Sequence, residues 1–370
     1  MEPVEKSETR EPIEKVLDDF DAKKETLEAF CVRTKSLIED CMTDANLRFQ
    51  SIQARVKKPQ KLRGKYLNPH KRYQRLDDIT DQAALRIIVY YEDEIDRAAE
   101  LIRKEFNVLP ELSIDKREAP PDQFGYYALN VVCTHADKRK SDVQFKKYAE
   151  LRFEIQITSV LRHAWSEIEH EWYDLQDGYP AEIKRKFYRV AALLEIAEAE
   201  FLSLRNQKNN YKRSIDIRVQ ADVRNIPIDP VSLSTFVTVE SVVRELDDRL
   251  ASIIGFTIAG TADARLLEKW TQLTALASFT TLDDLRLALA RYHTALIEYV
   301  SLCVPIWNQP ANRPIVPGAC IFQLTMMLIG AQGKDRLLAA LATTNSTIPD
   351  GWIGKQAAIA ESVVSKYQNP

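Results

Sequence analysis

The hydrophobic repeat of this 370-residue chain changes period twice, and that change limits the folds open to it. Up to residue 54 the apolar residues recur at helical spacing. Ile13, Val16, Leu17 and Phe20 are followed by Leu27, Phe30, Cys31, Leu37 and Ile38, which predicts a long amphipathic helix or helix pair over 11–54. The run Ala84–Tyr91 is instead rich in β-branched and aromatic residues and reads as a strand. Further strands are predicted over 111–116, 126–134 and 152–158, with helices over 94–106, 160–173 and 181–205. Strands mixed with helices in this way point to an α/β or α+β sheet domain. Beyond about residue 216 the strand signals fade. Helices are expected over 230–254, 262–278, 283–303, 319–330 and 334–343, the first opened by Asp229-Pro230 and the third by a Thr281/Asp284 capping box. The chain therefore divides into a sheet domain over 1–215 and an all-α domain over 216–370.

Charge follows the same division. Residues 216–370 carry only 13 of the 51 Lys and Arg and 15 of the 54 Asp and Glu. The first part holds a dense basic block: Arg55, Lys57, Lys58, Lys61, Arg63, Lys65, Lys71, Arg72 and Arg75, with no acid until Asp77. Such a block suits phosphates, although a solvated surface would carry the same pattern. Pro59, Gly64 and Pro69 make it a loop or a broken helix. Five scattered cysteines without a CxxC pair suit a reducing cytoplasm, and no apolar run reaches the ~20 residues that span a bilayer.

Within the strand Arg152–Thr158, Glu154, Gln156 and Thr158 share one face and Phe153, Ile155 and Ile157 the other. A carboxylate in a sheet must be paired or hold a metal. Asp81, just before the strand 84–91, offers a second. Two carboxylates beside a basic block suggest Mg²⁺-assisted phosphoryl chemistry, against the plainer reading that Glu154 pairs with a lysine. His163, Glu167 and His170 share a helix face and make a metal site conceivable, but histidines bonded to a backbone or carboxylate group explain them as simply. The chain has no GxxxxGK[ST], GxGxxG or GxSxG motif.

Taken together, five segments resemble the synthetase domain of RelA/SpoT-type alarmone synthetases. They are Arg55-Val-Lys57 with Lys65; Asp81-Gln-Ala-Ala-Leu-Arg86; Phe124-Gly125-Tyr126-Tyr127-Ala128-Leu129-Asn130; Phe153-Glu154-Ile-Gln156; and Leu161-Arg-His163-Ala-Trp165-Ser-Glu167-Ile-Glu-His170. The resemblance covers about 55–175. It implies a mixed β-sheet flanked by helices, related to nucleotidyltransferases. It also implies transfer of pyrophosphate from ATP to the 3′-hydroxyl of GDP or GTP, making the stringent-response alarmone (p)ppGpp. By position, Arg55, Lys57 and Lys65 would bind ATP. Asp81 and Glu154 would be the catalytic pair and hold Mg²⁺, with Glu154 also able to act as base. Tyr126, Asn130 and Gln156 would bind the acceptor, Tyr126 by stacking.

Three positions depart from the family pattern. Lys61 replaces a serine, Asn130 a histidine and Thr158 an arginine. The last two bear on the acceptor and open two alternatives. One is a toxin-like enzyme that pyrophosphorylates the tRNA 3′ end or adenosine nucleotides under control of its C-terminal domain. The other is a decayed nucleotide sensor, against which the retained Asp81 and Glu154 argue. A homo-oligomer, or a regulator bound to the C-terminal domain, would be compatible with either activity.

Overall fold

The computed structural model describes residues 10–71, 73–115, 117, 128–172, 180–307, 314–343 and 350–368. The chain forms two compact units, Met1–Arg205 and Asn206–Pro370. The first contains a mixed sheet flanked by helices; the second is almost wholly helical.

The first unit begins with α1 (Ile13–Asp44), which buries Val16, Phe20, Leu27, Phe30, Ile38 and Met42 along one stripe. The helical reading of 11–54 is too long. The backbone turns at Asn46, whose φ of 52° is left-handed, and Leu47 N–H closes on Met42 O. An edge strand, β1 (Ser51–Val56), follows. Its Ser-Ile-Gln-Ala-Arg-Val sequence alternates polar and apolar residues at every position, the period-2 signal of a half-buried strand, and the helical reading overruns that signal. The basic block then forms α2 (Pro59–Leu67), opened by a proline at its first position.

Next come β2 (Ala83–Val89), α3 (Asp93–Glu105), β3 (Phe106–Val108), β4 (Ile114–Asp115) and β5 (Leu129–His135). A short α4 (Asp137–Lys140) leads to β6 (Phe153–Ser159) and α5 (Val160–Trp172). The strand expected over 111–116 shrinks to β4, because Pro110–Leu112 takes a 3₁₀ turn. Sheet order is β1-β2-β6-β5-β3, with β4 also on β5. β2 and β6 run parallel; β1 on β2 and β5 on β6 are antiparallel. One sheet face carries Leu85, Ile87, Ile155, Ile157 and Val131, and these belong to the core that also contains the α1 and α3 stripes.

The long α6 (Ala181–Ala221) runs past the 205 expected and contains the boundary between units. In the first unit its Ala191 packs with Trp165 of α5. In the second unit α7 (Pro230–Val239), α8 (Ser241–Ile254), β7 (Thr257–Ile258), α9 (Ala264–Leu276), α10 (Leu282–Arg291), α11 (His293–Trp307), β8 (Pro314–Ile315), α12 (Ala319–Gly330), α13 (Lys334–Thr343) and α14 (Asp350–Gln368) follow. The helices expected over 230–254 and 283–303 are each two, broken at Glu240 and Tyr292. The Asp229 and Thr281 caps form as expected. The core of this unit includes Ile215 and Val219 from α6. All five cysteines are free thiols, and Cys31, Cys133, Cys303 and Cys320 are buried. No helix among the described residues is long and apolar enough to cross a membrane.

Candidate active site

The face of the sheet opposite the α1 stripe carries the polar residues. Directly paired residues in adjacent strands project to the same side, so the register sorts this face into rows. One row reads Arg55, Ala84, Glu154, Val132, and the next reads Gln53, Arg86, Gln156, Asn130. Arg55, Glu154, Gln156 and Asn130 are thereby brought to one surface. Tyr126 lies outside the described residues.

Asp81 sits just before β2. The backbone N–H of Lys57 donates to Gln82 O at 2.9 Å, which brings the exit of β1 beside the entry of β2. Lys57 Nζ then reaches Asp81 Oδ2 at 2.5 Å. Lys65 arrives from α2, which is anchored by buried Leu62 and Tyr66, and its Nζ lies 2.9 Å from Asp81 Oδ1. Burial alone would raise the Asp81 carboxyl, but the two ammonium groups outweigh it and hold it below the usual carboxylate range. Burial likewise disfavours the charged Lys65, yet Asp81, with smaller help from Tyr73 and Glu154, keeps its ammonium above the ordinary value. Glu154 therefore lies within electrostatic reach of Lys65. The predicted lysines, Asp81 and Glu154 form one charged neighbourhood. Lys61 is exposed on α2 and Arg55 is exposed on β1.

Among the described residues no group of three or more His, Cys, Asp and Glu is placed to hold a metal. Asp81 and Glu154 remain a donor set that fits Mg²⁺, which keeps several waters and takes one or two carboxylates together with substrate phosphates. The seat at Asp81 already attracts two cations. His163 and Glu167 do something else: they hold Arg86. A guanidinium nitrogen of Arg86 lies 2.9 Å from His163 Nδ1 and 2.5 Å from Glu167 Oε1, while Arg86 Nε donates to Gln156 Oε1 at 2.7 Å. Guanidinium only donates, so His163 Nδ1 accepts. Burial first, and then Arg86, push the His163 imidazole below its ordinary value, and Glu167 offsets part of this. Sequence reasoning assigned Arg86 no role. The signal available was a lone arginine inside the apolar run Ala83–Val89, a burial that demands partners.

Residues 54–178 match the family described as a region found in RelA/SpoT proteins. Over this span the chain is of the RelA/SpoT type. The RelA/SpoT region contains β1 from Ala54 onward, α2, β2 and β6, and with them every predicted site residue. Among solved structures, small alarmone synthetase 1 from Bacillus subtilis is 19% identical, with a TM-score of 0.45, covering 52% of this chain and 99% of that one. The same protein bound to its product pppGpp is 21% identical, with a TM-score of 0.40, covering 50% and 93%. A GTP pyrophosphokinase family protein from Streptococcus pneumoniae is 21% identical, with a TM-score of 0.42, covering 54% and 95%. No curated protein matches the chain.

Proposed function

We propose that this chain is a Mg²⁺-dependent pyrophosphokinase that moves the pyrophosphoryl group of ATP to the 3′-hydroxyl of a nucleotide, with GDP or GTP as the first-choice acceptor. The observation that carries the reading is the Lys57–Asp81–Lys65 cluster within electrostatic reach of Glu154, inside the RelA/SpoT region. In this reaction the acceptor oxygen bonds to the β-phosphorus of ATP, the bond from that phosphorus to the α,β-bridging oxygen breaks, and AMP leaves. Such transfers need positioning and charge stabilisation more than covalent help from the protein. Lys57, Lys65 and Arg55 neutralise ATP phosphates. Glu154 takes the proton of the 3′-hydroxyl. Asp81 and Glu154 would hold Mg²⁺, which when bound offsets charge on the phosphate oxygens. Asn130 and Gln156 lie on the acceptor side, and Tyr126 would stack on the acceptor base.

A second reading keeps the donor and changes the acceptor to adenosine nucleotides or a tRNA 3′ end. Asn130 and Thr158 favour it. Thr158 is buried, with its hydroxyl facing Ser159 O, and brings no cation to an acceptor phosphate. Residues 216–370 regulate the transfer in either case, and the free thiols suit a reducing cytoplasm. Labelled ATP incubated separately with GDP, GTP, ATP and bulk tRNA tests the proposal. Label appearing in one acceptor with release of AMP is the expected result. No transfer to any of them would leave only nucleotide sensing.

A further inference from the structure

The row Gln53, Arg86, Gln156, Asn130 runs in register across four strands and contains three carboxamides and one arginine. Its only cation is already spent. Arg86 is buried and held by Glu167, His163 and Gln156. These bonds also set the Gln156 amide. Arg86 Nε can only donate, so the oxygen of Gln156 must face it and the amide nitrogen is turned away. Among the described residues nothing accepts from that nitrogen. Beside it in register, Asn130 is 9% exposed, and among the described residues its buried Oδ1 has no hydrogen-bond partner. A buried acceptor left unpaired costs free energy, and polar groups in this condition call for a partner. Together the two amides offer one donor and one acceptor side by side.

We propose that Gln156 and Asn130 read an uncharged donor–acceptor edge of the acceptor substrate, a nucleobase edge or ribose hydroxyls, and not a phosphate, with Arg86 as the positioning residue locked by His163 and Glu167. The inference rests on this sheet face being the acceptor side. It deepens that reading by naming the chemical group selected there. A neutral edge complements a neutral amide pair, whereas an anion would need a free cation, and Glu167 neutralises the one cation in the row.

The test reads the side-chain amide resonances of Asn130 and Gln156 in the isotope-labelled full chain, assigned by their disappearance in Asn130→Asp and Gln156→Glu. Adenosine, guanosine and cytidine are titrated to millimolar concentration, and inorganic phosphate and pyrophosphate separately. At least one nucleoside should shift both signals, and the phosphates should shift neither. Asn130→Ala should weaken that nucleoside about tenfold, the effect of losing one buried hydrogen bond. Glu167→Gln should release Arg86, so that pyrophosphate now shifts the Gln156 signal. Phosphate shifting both amides in the unmodified chain, or no nucleoside shifting either, would overturn the proposal. A Glu167→Gln chain that responds like the parent would remove Arg86 from its positioning role. Nucleoside shifts without any transfer from ATP would sink the pyrophosphokinase reading and leave the neutral-edge site standing.

Discussion

Asp81 is the residue on which the candidate site turns, because both its oxygens meet an ammonium group. Replacing it with Asn keeps the shape and removes the charge. Transfer should fall sharply in Asp81→Asn and recover partly as Mg²⁺ is raised; a rate independent of Mg²⁺ would count against a metal role. Glu154→Gln removes the proposed general base and should cost about 10²–10⁴-fold in turnover; near-native turnover would refute that assignment. Lys65→Ala should raise KM for ATP with a smaller change for the acceptor, read from initial rates at fixed acceptor. His135 makes a different kind of prediction. It is fully buried among Phe30, Phe106, Phe145 and Phe153, and burial, with a smaller push from Arg139, lowers its imidazole from 6.5 to about 4. Between those values the unfolded chain binds the proton that the folded one refuses. Stability should therefore fall as the pH drops from about 6.5 towards 4. The slope should flatten in a His135→Phe chain, as measured by denaturant unfolding at several pH values.

At the scale of elements, turns and caps decide where helices stop. Asp229 accepts from Val231 and Ser232 N–H at 2.8 Å each, and its own backbone N–H donates to Ser232 Oγ. Asp229→Ala should cost the second unit about 0.5–2 kcal/mol, seen as a lower Tm. Gly318 is stricter. Its φ of 93° is left-handed, and a Cβ there would meet the Trp270 ring at 2.6 Å and Val237 at 2.8 Å. Gly318→Ala should destabilise more than the cap mutation. Both caps were legible in the sequence because Asp-Pro and Thr-x-x-Asp carry their mechanism in the residue types. β2, β5 and β6 were legible because each is apolar on at least one face. β1 was legible too, in the alternation of Ile52, Ala54 and Val56 with Gln53 and Arg55, but its six residues follow a long helical pattern and are easily absorbed into it. The Lys57–Asp81–Lys65 cluster was legible because its charges lie close together in the sequence. The Arg86 network was not, because Arg86, Gln156, His163 and Glu167 meet only once β2, β6 and α5 pack.

At the scale of the molecule, the boundary between units falls within α6, and the residues beyond it belong to the second unit. Ile215 and Val219 enter that unit's core, Thr235 donates to Asp216 at 2.5 Å, and Tyr211 bonds Asp229. A fragment beginning at residue 206 should fold, whereas one beginning at 222 loses two buried aliphatic side chains, each worth about 1.5–3 kcal/mol. Circular dichroism melts of the two fragments would separate the cases; equal Tm values would contradict the assignment of this helical segment.

The distribution of thiols has a practical consequence. Burial raises the thiols of Cys31 to about 11 and of Cys303 to about 12, and lifts Cys133 and Cys320 as well. Thiolate is the nucleophile, so these four are doubly shielded, by lack of access and by lack of charge. Cys41 on α1 is the one cysteine with partial exposure; burial and Glu105 raise its thiol too, so access is what sets it apart. A maleimide dye should thus decorate the native protein at a single place, and each further adduct timestamps an opening event. Cys31 and Cys133 clock the sheet unit, and Cys303 and Cys320 clock the helical one. The chain thereby carries its own two-channel stopwatch for local unfolding, readable by mass spectrometry without any engineered label.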